Sequence, residues 1–437
     1  MFLKNDQSRG LQVVFKRKSR PTVIIIGANF GGLTAVTTLL KQFTVIVVDP
    51  TPWFEYLPGI HELVSGVKTP SLLKLSSPKI VRRAGHRFIK DRVVQILPDK
   101  NLVIMKNGTS LSYDFCIVAI GGVKNTFGTP GADTHAVSFS NIENCHFIGK
   151  QLKILSKAKT PSHIVIVGGG IEGIEVLGEI LRKFKDIKHI RIRLIERENR
   201  LLNEIPADID SEIRKHCRPY PVEFITEASV KKVTGKTVFL TNGKRLKSDL
   251  TIWTAGAKPH PLLLLSGFTE TADQWAPVSG TLQHIVHKNV FFAGDAADVP
   301  DVHSKQAYHA IDMGHCAALN INRIHSGKAL QPFKPRPKPI IVSFGDLDTY
   351  VIAGDFVLAG SALSSLKEVV FQKVMMDFDP AGIALKGLHL SNRAVRSALP
   401  LALSTTFSLS ALKRLGKVRL LDKRKEKTKR MRQRKHD

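Results

Sequence analysis

Short apolar runs alternate with amphipathic stretches through roughly the first 330 residues of this chain. Two of the runs, 23–26 and 164–167, lead directly into glycine-rich turns, after which apolar residues recur with helical spacing. Continuous apolar runs bounded by such turns predict buried parallel strands, because both faces of a parallel sheet are covered. The alternation therefore predicts an α/β protein with helices on the faces of its sheets.

The first turn contains glycines at the positions that bring a backbone close to phosphate. It comprises Gly27, Ala28, Asn29, Phe30, Gly31 and Gly32. A helix that starts on such a turn offers free N–H groups and a partial positive charge to a pyrophosphate. Asp49 ends the next apolar run 22 residues after Gly27, near the spacing of about 20 at which a carboxylate reaches an adenosine ribose. Asn29 replaces the second glycine and can obstruct the phosphates, although asparagine tolerates positive φ better than most residues.

The second turn is intact, with Gly168, Gly170 and Gly173 at the expected positions. Its acidic partner, Glu196, follows 28 residues after Gly168, because the intervening helix is expected to be longer. A free carboxylate repels a 2′-phosphate, so NADH is favoured over NADPH. Arg197, next along the chain, leaves that preference open.

Two such turns in one chain predict two Rossmann-like dinucleotide-binding domains. Two dinucleotides held face to face are the arrangement required to pass a hydride between them. Three further apolar runs end in small residues, and they lead to Gly121, to Ala255-Gly256 and to Gly294-Asp295.

These five motifs, in this order, resemble those of the flavoproteins related to pyridine nucleotide-disulphide reductases, over roughly residues 21–330. The resemblance implies FAD at the first turn and NADH at the second. It implies that Asp295, with Gly294, binds the ribityl chain and pyrophosphate of FAD. It also implies cofactor contacts at Val93, Gly121, Ala255 and Gly256.

The four cysteines argue against a disulphide reductase. Cys116, Cys145, Cys217 and Cys316 form no C-x-x-C or C-x-x-x-x-C pair, so no dithiol is placed to exchange with a flavin. Cys145 and Cys316 leave a sulphide-oxidising pair open, although isolated cysteines are more often buried packing residues. Their sparse use is typical of a reducing, intracellular compartment.

The helix after the second turn suggests where the electrons go. Around Glu175 it resembles type II NADH dehydrogenases and apoptosis-inducing-factor-like quinone reductases, which are associated with membranes or mitochondria. The resemblance implies that Glu175 lies near the nicotinamide and the flavin. The alternative is that Glu175 is an ordinary helix carboxylate.

A second segment leaves the quinone specificity open. Tyr308 and Asp312 stand where type II dehydrogenases usually carry two glutamines, and the pattern that starts at Lys305 is closer to the apoptosis-inducing-factor-like branch. Lys305 is a candidate for stabilising anionic reduced flavin or a quinone oxyanion. The alternative is a surface lysine. The sequence suggests no metal site.

The chain is strongly basic, with 65 lysines and arginines against 37 acidic residues and a formal charge of +28. Much of the excess lies in a leader, 1–20, and in a tail, 413–437, which is expected to be solvated in isolation. No segment reaches the roughly 20 apolar residues that span a bilayer, and 397–412 comes nearest. The tail suits anionic lipid headgroups, and nucleic-acid binding is the competing interpretation.

Upstream of that segment, apolar residues repeat with helical spacing. They are Ala359, Ala362, Leu363, Leu366, Val369, Val370 and Val374. Such a stripe belongs either to a helix that packs on its own domain or to an amphipathic anchor in the membrane interface.

The motifs divide the chain into five parts: a leader at 1–20, an FAD-binding domain at 21–145 and 281–330, an inserted NADH-binding domain at 146–280, a small α+β C-terminal membrane or acceptor region at 331–400, and a basic tail at 401–437. The expected function is hydride transfer from NADH to FAD and electron transfer to a quinone, without proton pumping. A redox-sensing or nucleic-acid-binding signalling flavoprotein and a soluble reductase of a protein acceptor are the alternatives. A peripheral membrane position, a mitochondrial compartment and a homodimer are further expectations.

Overall fold

The computed structural model of this protein describes residues 20–300, 302, 305–336, 338–354, 356–380 and 418–421. Two five-stranded sheets form its centre, and every neighbouring pair of strands in both sheets is parallel. Helices cover these sheets, so the predicted α/β class is confirmed. Short 3-10 turns lie at Leu57–Gly59, Pro70–Leu73, Pro98–Lys100, Gly294–Ala296 and Ser361–Leu363.

The first part of the chain supplies most of the first sheet. In chain order its elements are β1 Thr22–Ile26, α1 Phe30–Thr38, β2 Thr44–Asp49, β3 Trp53–Glu55, α2 Glu62–Ser65, β4 Lys74–Ser76, α3 Ser77–Arg83, β5 Arg87–Lys90, β6 Val93–Leu97, β7 Leu102–Met105, β8 Ser110–Ser112, β9 Phe115–Val118 and β10 Gly122–Lys124. The sheet starts from β1 because its valine and isoleucines are almost completely buried, as the continuous apolar run predicted.

The middle of the chain supplies the second sheet. Its elements are α4 Ala132–His135, β11 Ala136–Ser138, α5 Ile142–Leu155, β12 Ser162–Val167, α6 Ile171–Phe184, β13 Ile190–Ile195, α7 Asp208–Cys217, β14 Val222–Ile225, β15 Val230–Val233, β16 Thr237–Leu240, β17 Arg245–Lys247, β18 Leu250–Trp253, β19 Ala257–Pro259, α8 Leu262–Leu265 and β20 Ala276–Pro277. The pairing of β10 with β19 forms a short antiparallel ribbon between the two sheets.

The chain then returns to the first sheet and continues into a C-terminal unit. The remaining elements are β21 Val290–Phe292, β22 Ala297–Asp298, α9 Ala307–His325, β23 Ile340–Phe344, β24 Asp348–Ala353, β25 Phe356–Ala359, α10 Ser364–Phe378 and β26 Arg419–Leu421. The strand order is β21-β9-β1-β2-β5 in the first sheet and β11-β18-β12-β13-β14 in the second. The order therefore reverses between β1 and β9, and again between β12 and β18, which is where α/β sheets bind nucleotides.

The apolar stripe that suggested a membrane anchor faces the protein interior instead. Leu363, Leu366, Val369 and Val374 are all nearly inaccessible to solvent. Ala359 belongs to β25 and not to the helix. On α10, the ring centre of Phe371 lies 5.0 Å from that of Tyr56, and the ring centre of Phe378 lies 5.0 Å from that of Phe54. The periodicity was correct for a helix, but a hydrophobic stripe alone does not identify what covers it.

Part of the basic tail is folded, which corrects the expectation that the whole tail is solvated. Strand β26 pairs with β25 and completes a four-stranded antiparallel sheet. Arg419 binds Glu212 of α7 at 2.6 Å and also pairs with Asp348 of β24. The segment 397–412 and the rest of the tail lie outside the described residues. None of the helices in the described residues combines the length and the apolar composition of a transmembrane span.

Candidate nucleotide-binding site

The first turn closely approaches the end of the neighbouring strand. Gly27 has a φ of 100°, and a Cβ there would lie 2.3 Å from the carbonyl oxygen of Ala119, just beyond β9. A Cβ on Gly32 would lie 1.9 Å from the carbonyl oxygen of Gly27. Both positions therefore require glycine for the backbone to close. The turn lies at the point where the strand order of the first sheet reverses.

The second turn has nearly the same geometry. Gly168 has a φ of 111°, and a Cβ there would lie 2.7 Å from Oγ1 of Thr254 at the end of β18. A Cβ on Gly173 would lie 1.9 Å from the carbonyl oxygen of Gly168. The side chain of Thr254 donates to the carbonyl oxygens of Val167 and Gly168, which joins β12 and β18 at their carboxyl ends.

The middle position of each turn follows a different rule. Gly170 is extended, with a φ of −73°, and apart from its two chain neighbours no described residue has an atom within 4 Å of the place where its Cβ would be. The local protein structure therefore does not require glycine at position 170, and the open space beside it suits a ligand. Asn29 occupies the matching position with a φ of −105°, so tolerance of positive φ is not the reason it fits.

A carboxylate closes each turn from the neighbouring strand. Oδ2 of Asp49 accepts a hydrogen bond of 2.8 Å from the N–H of Ala28, and Oε2 of Glu196 accepts one of 2.6 Å from Gly169. Burial raises the pKa of Asp49, and hydrogen bonds from Thr51 and Ala28 oppose that shift. Each carboxylate therefore positions negative charge beside a helix N-terminus.

The residues of the first turn fit the pyrophosphate of FAD. Oδ1 of Asn29 is buried without a hydrogen-bond partner among the described residues, so it is available to a bound molecule. The side chain of Asn29 does not cap α1, and Gly170 has no side chain to cap α6, so the N-terminal N–H groups of both helices stay available to phosphate.

The long helix α9 packs tightly on α1. A Cβ on Gly314 would lie only 2.1 Å from the carbonyl oxygen of Gly31, so glycine is required at this contact.

Asp295 lies in a tight turn that Lys305 stabilises. Gly294 has a φ of 74°, and Nζ of Lys305 donates 2.9 Å hydrogen bonds to the carbonyl oxygens of Asp295 and Ala297. The ammonium also lies 4.2 Å from the centre of the Trp275 ring. Burial raises the pKa of Asp295, and partial desolvation lowers that of Lys305, although the Lys305 residue is exposed at the surface. A small cavity opens beside this turn, lined by Gly294, Asp295, Ala297, Val299, Val302, Lys305, His309 and Met313.

Glu175 lies one turn into α6 and is buried among charged groups. Oε1 accepts a 3.1 Å hydrogen bond from the N–H of Ser343 and a further hydrogen bond from Nζ of Lys367. Oε2 lies 3.5 Å from Nδ1 of His61. Burial raises the pKa of Glu175, and Lys367 opposes the shift. Glu175 is thus a buried carboxylate paired with groups from other elements, and its place near the nicotinamide and the flavin stays a prediction.

One helical turn later, Glu179 is also buried. Its carboxylate accepts a hydrogen bond from Ser65 and lies 3.1 Å from Nη1 of Arg182. Burial raises the pKa of Glu179 to about 7. Burial also lowers the pKa of His61 well below its usual value, so His61 is neutral at pH 7.

Sequence reasoning missed the partners of Glu175. Lys367 is 192 positions away along the chain, and His61 belongs to the first unit. No local motif joins residues that far apart, so only the packing of α6 against α2 and α10 brings them together.

Tyr308 and Asp312 lie one turn apart near the start of α9. Nζ of Lys338 lies 3.0 Å from Oδ2 of Asp312 and 4.9 Å from the centre of the Tyr308 ring. Burial raises the pKa of Tyr308 to about 12. A lysine from the segment before β23 thus lies against both residues that replace the expected glutamines.

The remaining predicted residues lie close to the two turns. Gly121 has a φ of 64° and follows Ala119 beyond β9, while Ala255 and Gly256 follow β18. Val93 begins β6, close to the end of β2, where the N–H of Asp91 donates to the carbonyl oxygen of Asp49.

All four cysteines lie in the described part of the chain, and each is a free thiol. Cys116, Cys145 and Cys217 are buried. Burial raises the pKa of Cys145 and raises that of Cys316 to about 11. The thiols are therefore protonated at neutral pH and poorly suited to nucleophilic exchange.

A group of carboxylate and imidazole ligands outside these turns consists of Glu212, His216 and Asp348. Arg419 pairs with both carboxylates of this group, so its guanidinium already supplies the positive charge beside them.

Comparison with known proteins agrees with this geometry. The sequence profile of the pyridine nucleotide-disulphide oxidoreductases matches residues 21–314. The chain belongs to this family, and it is an oxidoreductase.

Three similar proteins narrow the relationship. A type II NADH:quinone oxidoreductase of Staphylococcus epidermidis is 24% identical over 84% of this chain and 98% of its own length. Apoptosis-inducing factor homolog A of Dictyostelium discoideum is 28% identical over 79% of this chain and 88% of its own. NDH2 of Plasmodium falciparum, solved with NADH, superposes with a TM-score of 0.75 at 18% identity, covering 81% of this chain and 94% of that one. The last likeness confirms the fold, and the sequence resemblance to these two groups is confirmed.

Proposed function

We propose that this protein oxidises NADH and reduces a quinone through bound FAD, without pumping protons. The observation that carries the proposal is the pair of matched turns, each at the point where a parallel sheet reverses its strand order. The relatives named type II NADH:quinone oxidoreductase support the choice of donor and acceptor.

The second turn is the proposed NADH site. Gly168 and Gly173 let the backbone close, the space beside Gly170 admits the pyrophosphate, and Glu196 faces the adenosine ribose. A carboxylate there disfavours the additional phosphate of NADPH, because like charges repel in a partly buried site. NADH bound to the neighbour NDH2 supports this assignment.

The first turn is the proposed FAD site, with Asp49 on the ribose side and Asp295 on the ribityl side. Bound FAD would supply the redox chemistry by accepting a hydride and passing electrons on. Lys305 holds the turn around Asp295 and places positive charge beside it. Glu175, paired with Lys367, is proposed to set the charge near the meeting point of the two nucleotides.

The proposed quinone site lies at the start of α9, where Tyr308 and Asp312 contact Lys338. An ammonium beside a phenol and a carboxylate is suited to binding a polar carbonyl group. The protonated thiols favour a quinone over a disulphide as the acceptor. We assign the part of the chain that forms the first sheet to FAD and the part that forms the second sheet to NADH. The second sheet already includes β11 Ala136–Ser138, so its unit begins before the expected boundary at 145. We propose a peripheral membrane position for the protein.

Steady-state kinetics of the purified, FAD-loaded protein test this function. NADH oxidation should be fast with a short-chain quinone and slow with oxygen or a protein acceptor, with one quinone reduced per NADH consumed. Gly173→Val, which forces a side chain into the carbonyl oxygen of Gly168, should abolish NADH turnover, and Gly280→Ala is a matched control in an open loop. Equal rates with oxygen and quinone would contradict the proposal.

A further inference from the structure

Phe127 combines two unfavourable properties. Its φ is 52°, in the left-handed region that large side chains rarely adopt, and its side chain is 60% exposed. The carbonyl oxygen of the Asn125 side chain accepts a 2.8 Å hydrogen bond from the N–H of Phe127 and holds this conformation. Residues that the surrounding structure holds in a strained backbone conformation cluster at active sites and ligand sites.

The ring lies on a glycine at the end of β18. Cζ of Phe127 is 2.5 Å from the place where a Cβ of Gly256 would lie, so only glycine allows this contact. The N–H of Asn125 donates to the carbonyl oxygen of Gly256 at 3.1 Å, and Nε1 of Trp253 donates to the carbonyl oxygen of Asn125 at 3.0 Å. These bonds fix the ring at the carboxyl edge of the second sheet.

The position relative to the second turn identifies the part of a dinucleotide that the ring meets. Strand β12 leads into that turn and lies between β18 and β13. Glu196 follows β13 directly and faces the adenosine side. A dinucleotide with its pyrophosphate on the turn must extend its other half towards β18. Gly256 and Phe127 lie on that opposite side.

We propose that Phe127 is a positioning residue that packs against the nicotinamide half of bound NADH. An aromatic ring supplies a large apolar surface with little side-chain freedom to lose, which suits it to hold a flat heterocycle. Gly256 leaves room for the ring, and Asn125 keeps it at the crevice. The inference rests on the NADH site of the proposed function and is independent of the quinone.

Two ligands that differ only in the nicotinamide ring test this assignment. NAD carries the ring, whereas ADP-ribose lacks it and keeps the adenosine, the pyrophosphate and the second ribose. Calorimetric titration of the FAD-loaded, full-length protein should show that Phe127→Asn weakens NAD binding about five- to tenfold and leaves ADP-ribose binding within about twofold. Asparagine is the informative replacement because it tolerates the left-handed backbone without supplying a ring.

The same variants separate binding from folding. Phe127→Asn should melt at the same or a higher temperature than the wild type, since backbone strain is relieved. Phe127→Tyr keeps a ring and should restore NAD affinity. Phe147→Asn, at another exposed phenylalanine on α5, should leave both affinities unchanged.

Three outcomes would overturn the inference. Equal losses for NAD and ADP-ribose would show that the ring does not meet the nicotinamide half. Unchanged NAD affinity in Phe127→Asn would show that it meets neither half. A wild type that binds neither ligand would also contradict the NADH site of the proposed function. Normal binding of both ligands without quinone reduction would contradict only the proposed electron acceptor.

Discussion

The carboxylate of Glu196 lies 2.6 Å from the backbone nitrogen of Gly169, and its other oxygen accepts a hydrogen bond from the N–H of Glu198. Asp49 forms the equivalent pair of bonds, with Ala28 and Thr51, in the first unit. Each acidic side chain is thus held at the mouth of a turn before any nucleotide arrives. A fixed negative charge discriminates between ligands because it cannot move away from an added phosphate.

The first prediction concerns nucleotide choice. Glu196→Gln should narrow the preference for NADH over NADPH by about tenfold, equivalent to ~1.4 kcal/mol, because a repulsive charge is removed while the amide oxygen can still accept from Gly169. Glu196→Arg should invert the preference. The measurement is the ratio of kcat/KM for the two nucleotides.

Glu198→Gln is the matched control, since Glu198 pairs on the surface with Arg197 and does not contact the turn. A wild type that uses NADH and NADPH equally would remove the basis for naming Glu196 as the selector.

The second prediction concerns the flavin. The purified protein should be yellow and should release FAD, not FMN, on denaturation. Asp295→Ala should weaken FAD binding by about tenfold or more, because hydrogen bonds to a charged group contribute ~1.5–3 kcal/mol. FAD content and the affinity of the apoprotein for added FAD are the measurements.

The exposed Asp298→Ala, three residues along the chain, controls for the loss of one local charge. A folded, colourless protein that cannot be reconstituted would contradict the FAD site and indicate that Asn29 obstructs it.

Local rules predicted the two turns well. Gly27, Gly32, Gly168 and Gly173 are required by contacts with backbone atoms or a side chain that lie close by, and such contacts leave a glycine signal in the sequence. The period of a strand or helix likewise depends on neighbouring residues. This is why the fold class followed directly from the pattern.

Long-range partners could not be predicted. The pairing of Glu175 with Lys367 depends on how α10 packs on α6, and that arrangement has no local signature. For the same reason the helical stripe around Leu366 was compatible with lipid as well as with protein, and Arg419 was read as tail when it belongs to a sheet. Hydrophobic periodicity identifies the apolar face of a helix, but it does not show whether protein or lipid packs against that face.

The third prediction concerns the cysteines. Replacing all four with alanine should cost about 1 kcal/mol at each buried site, since small cavities form. NADH:quinone turnover per bound FAD should stay largely unchanged, because no thiolate takes part. A loss of turnover with normal FAD content would indicate thiol chemistry, and single replacements of Cys145 and Cys316 would then locate it.

The fourth prediction concerns pH and Glu179. Burial raises its pKa from 4.5 to about 7 in the folded protein, so the unfolded chain ionises first as pH rises. Stability contributed by the protonated form is complete below about 4.5 and is lost as pH rises towards 7. The difference in free energy of unfolding between Glu179→Gln and the wild type should therefore shift in favour of the variant as the pH rises from 5 to 8, because the variant cannot ionise at this position.

Urea unfolding at both pH values measures that difference. The exposed Glu143→Gln on α5 controls for the removal of one negative charge. An identical Glu179→Gln effect at pH 5 and pH 8 would contradict a raised pKa.

The last prediction concerns the basic tail. Because Arg419 joins β26 to Glu212 and Asp348, a deletion that tests the tail must begin after that strand, at Lys423. Residues 423–437 contain nine lysines and arginines, each contributing about 1 kcal/mol near an anionic membrane before salt screening. The deletion should leave oxidation of NADH by a water-soluble quinone nearly unchanged, since both turns lie far upstream in the chain.

The same deletion should weaken binding to vesicles containing anionic lipid, and binding of the full chain should fall as salt rises. A full-length variant with Lys427, Lys429 and Arg430 replaced by glutamine should show an intermediate affinity. If the wild type ignores such vesicles and binds duplex nucleic acid with a steep salt dependence, the membrane position is wrong and the nucleic-acid interpretation of the tail is favoured.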